Sequence, residues 1–382
     1  MAQHGMEAHS HGAGAPIQIR HARPKSTSVD DFEKPTRFEE VWKYFPLDKL
    51  SGLDEAVYGE LEEGHFGLEL NDGARAELVD STDSLVGSAG TPEDRVSAAA
   101  WTNASKTLKV TLTGESSEPH YIRITADDQP RAAHLVVHAE PNSHGTLVLD
   151  HAGHGKLAEN VEIIVGQGAN LSLITIQDWD AKSIHVSNHF AKLEKDSNLT
   201  HIVVSMEGEA IRVVPQADLS EPGSNVEMYG VYLADSHQFI EHRPFIDHNA
   251  ANCRSRVTYK GALQGKGAHT VWIGDVLIRE AGVGTDTYEL NRNLLLTDGA
   301  RADSVPNLEI ETGKIEGAGH ASASGRFDDE QLFYLQSRGI DEQTARRLVV
   351  RGFLHEVIQK IGVQEIQDRL TSAIEADLER VV

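Results

Sequence analysis

Gly168-Ala169-Asn170-Leu171, Asp196-Ser197-Asn198-Leu199, Gly223-Ser224-Asn225-Val226 and Ala250-Ala251-Asn252-Cys253 decide how this chain is read. Each is a turn of small residues that passes through an asparagine into an apolar stretch, and the asparagines stand 28, 27 and 27 residues apart. A near-constant period of this length signals stacked supersecondary units. If each unit is one coil, its strands pair with the next coil about 4.8 Å away and equivalent turns lie above one another. Stacked asparagines then hydrogen-bond along the pile. Turns of an antiparallel sandwich are also rich in Gly and Asn, but the near-equal intervals favour the coil. Gly267-Ala268-His269-Thr270 and Gly299-Ala300-Arg301-Ala302 echo the turn without the asparagine or the spacing.

Outward from these turns, residues 107 to 315 read as short β-rich runs: 108–112, 121–125, 134–138, 146–149, 161–165, 171–176, 199–204 and 226–231. They alternate or are wholly apolar, and Gly, Asp, Asn and Ser bound them, as strands require. No helical pattern of 10–15 residues separates them, which excludes βαβ units. The expected fold is mainly β. A parallel β-helix (solenoid) core spans 106–325, with an N-terminal mixed or helical cap over 28–105 and a C-terminal helical domain over 326–382.

In the cap, Phe38, Val41, Trp42 and Phe45 have helical spacing, and Pro46 ends the helix they predict. At the other end, Asp328-Asp329-Glu330 opens a helix carrying Leu332, Phe333 and Leu335, which Gly339 stops. Asp341 starts a second, with Ala345, Leu348, Val349, Phe353, Val357, Ile358 and Ile361 on one stripe. After Gly362 a third carries Ile366, Leu370, Ile374 and Leu378. So short a unit is small for an independent core, and it is expected to dock on the solenoid or on another protein.

The formal net charge is -24 and no basic run tracks a phosphate backbone, which disfavours nucleic acid. No stretch approaches the ~20 apolar residues of a membrane span and the start lacks an apolar leader, so a cytoplasmic location is expected. Residues 1–27 read as a disordered tail; its His4, His9, His11 and His21 suit a solvated segment better than metal capture. One cysteine, Cys253, excludes an internal disulfide, and its place after the fourth turn suggests inert filler inside the coil.

His151 with His154, and His185 with His189, have spacings a metal could use. Among 20 histidines chance pairs are expected, and surface residues are the better reading. Asp298, Arg301 and Asp303 admit an alternative, a glycan-processing groove of the lyase or hydrolase kind found on β-helices. Gly265-Lys266-Gly267 is too short for a Walker A loop, so no nucleotide is expected on this chain.

Several runs carry a resemblance. Cys253-Arg-Ser-Arg-Val-Thr-Tyr-Lys-Gly-Ala262, Gly284-Thr-Asp-Thr-Tyr-Glu-Leu-Asn-Arg-Asn-Leu-Leu-Leu296 and Pro306-Asn-Leu-Glu-Ile310 are similar to the SufB/SufD family of iron–sulfur assembly scaffolds. So are Gly319-His320 and Gly325-Arg-Phe-Asp-Asp-Glu-Gln-Leu-Phe-Tyr-Leu-Gln-Ser-Arg-Gly339, and more weakly Phe38-Glu-Glu-Val-Trp-Lys-Tyr-Phe-Pro-Leu47. The resemblance implies a right-handed parallel β-helix flanked by helical domains. It further implies a non-catalytic scaffold subunit that pairs with SufB and accepts the ABC-type ATPase SufC on helices 328–361. A transient Fe–S cluster would form at the SufB interface near His320, the one candidate metal-ligating residue. An imidazole between Gly319 and Ala321 is uncrowded, and neutral imidazole suits iron. Some relatives carry a cysteine shortly before that histidine, whereas Gly317, Ala318 and Gly319 stand here. Thiolate ligands would then come mainly from SufB, and within the resemblance the low cysteine count favours the SufD side over SufB, the partner equipped to accept sulfur. A metal-free interaction scaffold is the remaining alternative.

Overall fold

The computed structural model describes residues 23–326 and 329–379. Two parallel sheets wind up the molecule together, the chain passing from one to the other on each half-coil, for about 8 turns. One sheet, face A, contains Pro130–Ala139, Lys156–Val165, Ile184–Leu193, Ala210–Leu219, the broken strand Phe239–His242 with Phe245–His248, His269–Ile278 and Arg301–Ile310. The other, face B, contains His144–Gly153, Asn170–Trp179, Asn198–Glu207, Asn225–Ala234, Arg254–Leu263, Asp286–Leu295 and Gly317–Arg326. The solenoid expected from the turns is present.

The asparagine column is real for three of its four members. Asn170, Asn198 and Asn225 are in register on adjacent strands, and the Asn225 amide donates to Asn198 Oδ1 at 3.3 Å. The fourth position of that column is Arg254. Asn252 instead joins a neighbouring column of left-handed turn residues with Asn142, Gly168, Asp196, Gly223 and Gly284, all at φ between 56° and 77°. Asn and Asp tolerate that region when glycine is absent, so the coil simply lengthened by two residues at that point.

Three apolar layers hold the coil. Inside lie residues such as Leu135, Leu173, Val203, Val213, Val257 and Ile278. Outside face A, Trp42, Phe45, Val96 and Ala100 pack on Ala158, Val186, Ala210 and Phe239. Outside face B, Val350, Leu354, Val357 and Leu370 pack on Ile174, Ile202, Val204 and Tyr229. Strands covered on both sides read as continuous apolar runs rather than alternating ones.

The cap helix expected across Phe38–Phe45 does not form. The segment is a chain of tight turns, Glu39 N–H to Thr36 O and Trp42 N–H to Glu39 O, followed by a 3-10 turn at Leu47–Leu50. Pro46 has no amide hydrogen with which to continue a helical ladder. Arg243, buried in face A, donates to the Val41 and Glu40 carbonyls, so tertiary bonds replace helical ones. Trp42 and Phe45 are buried as the spacing implied, but Phe38 is fully exposed. The helix of this region is α1, Arg95–Asn103, capped by Asp94 on Ser97 N–H. His4, His9, His11 and His21 lie outside the described residues. Residues 23–27 are held to the body, with Ser26 N–H on Pro92 O at 3.1 Å and Lys25 on Glu93.

The C-terminal helices are α2, Asp329–Ser337, α3, Glu342–Ile358, and α4, Gln364–Glu379. Asp341 caps α3 through Thr344 N–H as its position implied, while Asp328 is outside the described residues. The buried stripe of α3 is Ala345, Val350, Leu354, Val357 and Ile358; Leu348 is 44% exposed. The expected stripe was rotated because α3 is wedged between face B and α4 and buries a wider arc. Lys260 clamps it through Phe353 O and Glu356, and Arg369 of α4 reaches Asp150 and Asp178.

The two ends of the solenoid differ. At the start, Phe66–Glu69 and Ala74–Asp80 run antiparallel against His120–Ile124 and Lys106–Leu112 and close the first coil. At the finish, Arg301–Ile310 and Gly317–Arg326 each pair on one side only, among the described residues.

Candidate functional site

The unfinished coil is where the interior changes character. Along Asp286–Leu295 the inward positions are Thr287, Glu289, Asn291 and Asn293, all buried, alternating with outward Tyr288 and Arg292. On the last strand, Ala318, His320, Ser322 and Ser324 are in register with those four and so share their face. Ser322 donates across the coil to Ser304 Oγ at 2.8 Å. Below them Tyr232, Asn291 and Asn293 bond to one another, and Asn293 donates to Ser324 Oγ at 3.2 Å. A continuous polar column therefore reaches solvent at the open end.

His320 is exposed on this last strand, one rung above Glu289. Gly319 lies against the Tyr288 ring, where an added Cβ would sit 3.2 Å from it. Glu289 is 1% exposed, and neither carboxyl oxygen has a hydrogen-bond partner. Burial, with a contribution from Asp275, pushes its pKa up to about 9, so the group is a neutral acid at pH 7. Sequence reading missed Glu289. The polar alternation Thr287, Glu289, Asn291, Asn293 was visible, but alternation alone does not say which face turns inward.

The histidine pairs regroup. His154 is on the surface beside Asp128, and His189 Nδ1 meets His201 Nε2 at 3.0 Å. His151 and His185 instead converge on Glu159, all three buried, with ligand-type atoms within 4.8 Å of one another. The surface reading of His151, His185 and His189 is thus corrected: inward-facing strand positions carry them into the coil. Hydrogen-bond logic assigns the group a proton. Trp179 Nε1–H donates to His185 Nδ1 at 3.2 Å, which leaves His185 Nε2 as a donor to Glu159 rather than a metal ligand. His151 Nδ1 faces Ile176 O and its Nε2 faces Glu159, both acceptors, so the ring carries both protons beside a carboxylate. Burial opposes that charge, but Glu159 outweighs it and the His151 pKa is raised. Burial likewise opposes the Glu159 charge, but His151 and His185 hold its pKa well down, and burial keeps His185 neutral.

Cys253 is 1% exposed, its thiol pushed up by burial and 3.3 Å from Ser224 Oγ. That is an inert environment, as expected. Asp298 pairs with Arg326, and Asp303 with Arg301 and His269. These carboxylates are engaged in surface ion pairs. On the helices, Phe333, Tyr334 and Leu348 expose 72%, 55% and 44% of their surface.

A family model described as "SUF system FeS cluster assembly, SufBD core domain" matches residues 122–353, from the first strands of the solenoid into α3. The chain belongs to the SufBD family. An iron–sulfur cluster assembly SufBD family protein of Mycobacterium tuberculosis is 46% identical over 364 residues, covering 93% of this chain and 92% of the relative. One from Mycobacterium leprae is 46% identical over 363 residues, with 92% and 93% covered. The iron–sulfur cluster assembly protein SufD of Escherichia coli is 25% identical over 377 residues, with 89% and 88% covered. SufBD membership gives the chain a role in iron–sulfur cluster assembly, and the solenoid with its helical attachment is the body on which that role is carried. No helix among the described residues is long and apolar enough to cross a membrane.

Proposed function

We propose that this chain is a non-catalytic, SufD-type scaffold subunit that acts in the cytoplasm. The open edge of its last coil pairs with a SufB-type partner, and α2 and α3 receive the SufC ATPase. The cluster under assembly is cargo at the first of these surfaces, with His320 among the groups that touch it. The observation that carries the reading is the unfinished coil: among the described residues two strands each leave one edge unpaired, and the last of them bears an accessible imidazole. Unpaired edges are usually blunted unless something covers them. Among the described residues no lid strand covers these two, and although Pro306 interrupts one, the last strand Gly317–Arg326 carries neither proline nor lysine. Exposed Phe333, Tyr334 and Leu348 support a second protein contact on the helices. A chain without a Walker A loop would draw its nucleotide work from such a partner.

Anaerobic purification of the chain from its own host, with mass spectrometry and iron and sulfide analysis, tests the reading. Recovery of an ABC-type ATPase and a cysteine-richer homologue, with iron on the complex, is the expected result. Partners without iron would favour the metal-free scaffold. Recovery of the chain alone and free of iron would overturn the proposal.

A further inference from the structure

We propose that Glu289 and His320 together form a binding site for a divalent transition-metal ion at the open end of the solenoid. The inference rests on the functional reading above and adds to it a second protein ligand from the preceding coil. Three independent features converge on the pair.

The first is placement. Glu289 and His320 occupy the same register position on adjacent parallel strands, so their side chains rise from the same face about 4.8 Å apart. That is a separation two ligands of one ion can close by rotamer choice. The second is the state of the carboxyl. At 1% exposure neither oxygen finds a donor, although nearly every buried polar group in a folded protein is paired. Leaving such a group unsatisfied is costly, and a bound ion would complete it. The nearby Asn291 and Asn293 are fully engaged with Tyr232 and with each other, so the neighbouring network does not supply the missing donor.

The third is room. Across the coil from Glu289 stands Gly274, where an added Cβ would sit 2.8 Å from Glu289 Oε1 and 2.2 Å from the Trp272 ring. Only a glycine leaves the carboxyl its space. Above it the way is polar and open: Ser304 is half-buried, and His320, Ser322 and Ser324 are exposed. One imidazole nitrogen and one carboxylate oxygen, with water and serine hydroxyls nearby, form a borderline donor set suited to Fe(II), Mn(II) or Zn(II). A soft thiolate set is not what these residues offer. The ion would replace the proton on the Glu289 carboxyl, releasing it to solvent through the same opening.

The test is anaerobic equilibrium dialysis of the full chain against ferrous iron, comparing wild type with Glu289→Gln and His320→Ala. Gln keeps the shape and neutrality of the buried acid, so the fold is retained; circular dichroism and the melting temperature verify this. Wild type should take up one Fe(II) per chain, and each substitution should weaken binding at least tenfold. The double variant should be no weaker than the worse single. If Glu289→Gln binds iron as wild type does, or if wild type binds none, the inference is overturned. The functional reading is judged separately by the co-purified partners. A complex that assembles clusters normally with Glu289→Gln but not with His320→Ala would preserve that reading and remove Glu289 from it.

Discussion

His151 is a charged imidazole sealed inside a β-solenoid, and its proton has thermodynamic consequences. The charges acting on it are Glu159 across the coil, His185 and His189 beyond it, and Asp150 on the outer side of its own strand. Its folded pKa is raised, so the stability it supplies is complete below its ordinary value of about 6.5 and is lost as pH climbs through the folded value. Glu159 has a lowered pKa, so its share is complete above about 4.5 and is lost as pH falls through its folded value. The share this pair contributes is therefore complete between these limits and declines from pH 6.5 upward. Breaking a buried pair from one side costs about 3 kcal/mol. Glu159→Gln should thus be destabilised by about that amount at pH 6, and the gap should narrow toward pH 9. Melting curves across this range check it; parallel profiles for the two proteins would contradict the assignment. Little of this was legible in the sequence. His151 and His185 are 34 positions apart, and only the coil brings them to one carboxylate.

Among elements, strands Asn225–Ala234 and Arg254–Leu263 interlock by exchange of bulk. Gly230 is in register with Tyr259, and Tyr232 with Gly261. A Cβ added at Gly230 would sit 2.0 Å from the Tyr259 ring, and one at Gly261 1.9 Å from the Tyr232 ring. Each ring lies over its neighbour's missing side chain, which is how aromatic residues fit inside two successive narrow coils. Gly230→Ala should cost about 2 kcal/mol by overpacking. Tyr259→Leu in the same chain should return part of the loss, since the Tyr259 hydroxyl has no partner to forfeit. Denaturant titration of the two singles and the double measures this; simple additivity would show that the ring and the glycine are not coupled.

The strands themselves were readable because turn chemistry recurs with each coil, and α1 was missed because its Ala-rich run carries almost no apolar contrast. The supposed helix at Phe38–Phe45 misled for the opposite reason: its apolar spacing records burial of Trp42 and Phe45, not the backbone that delivers them. On α3, a one-stripe reading assumed one contact surface where the helix has two.

At the scale of the molecule, the helical domain is fastened mainly by apolar burial. Leu354 is fully buried against face B, whereas the Arg369 pairs with Asp150 and Asp178 are partly open to water. Leu354→Ala should cost about 3 kcal/mol and hasten proteolysis in α2–α4. Arg369→Ala should cost under about 1 kcal/mol, and less in high salt. A reversed order in stability and protease assays would mean that charge, not packing, docks the domain. Position along the solenoid also explains what the sequence could not say about the candidate site. His320 was found by likeness to a family motif, whereas Glu289 acquires its meaning only from lying one rung below, under an edge that nothing in the described chain covers.

The asymmetry of the two ends is also an asymmetry in time. Translation delivers the antiparallel lid and the first coils before the rest, and each finished coil is a template on which the next can crystallise as it leaves the ribosome. The bare edge is among the last solenoid strands to be synthesised. The surface most prone to pairing with a stranger therefore exists for the shortest interval during synthesis.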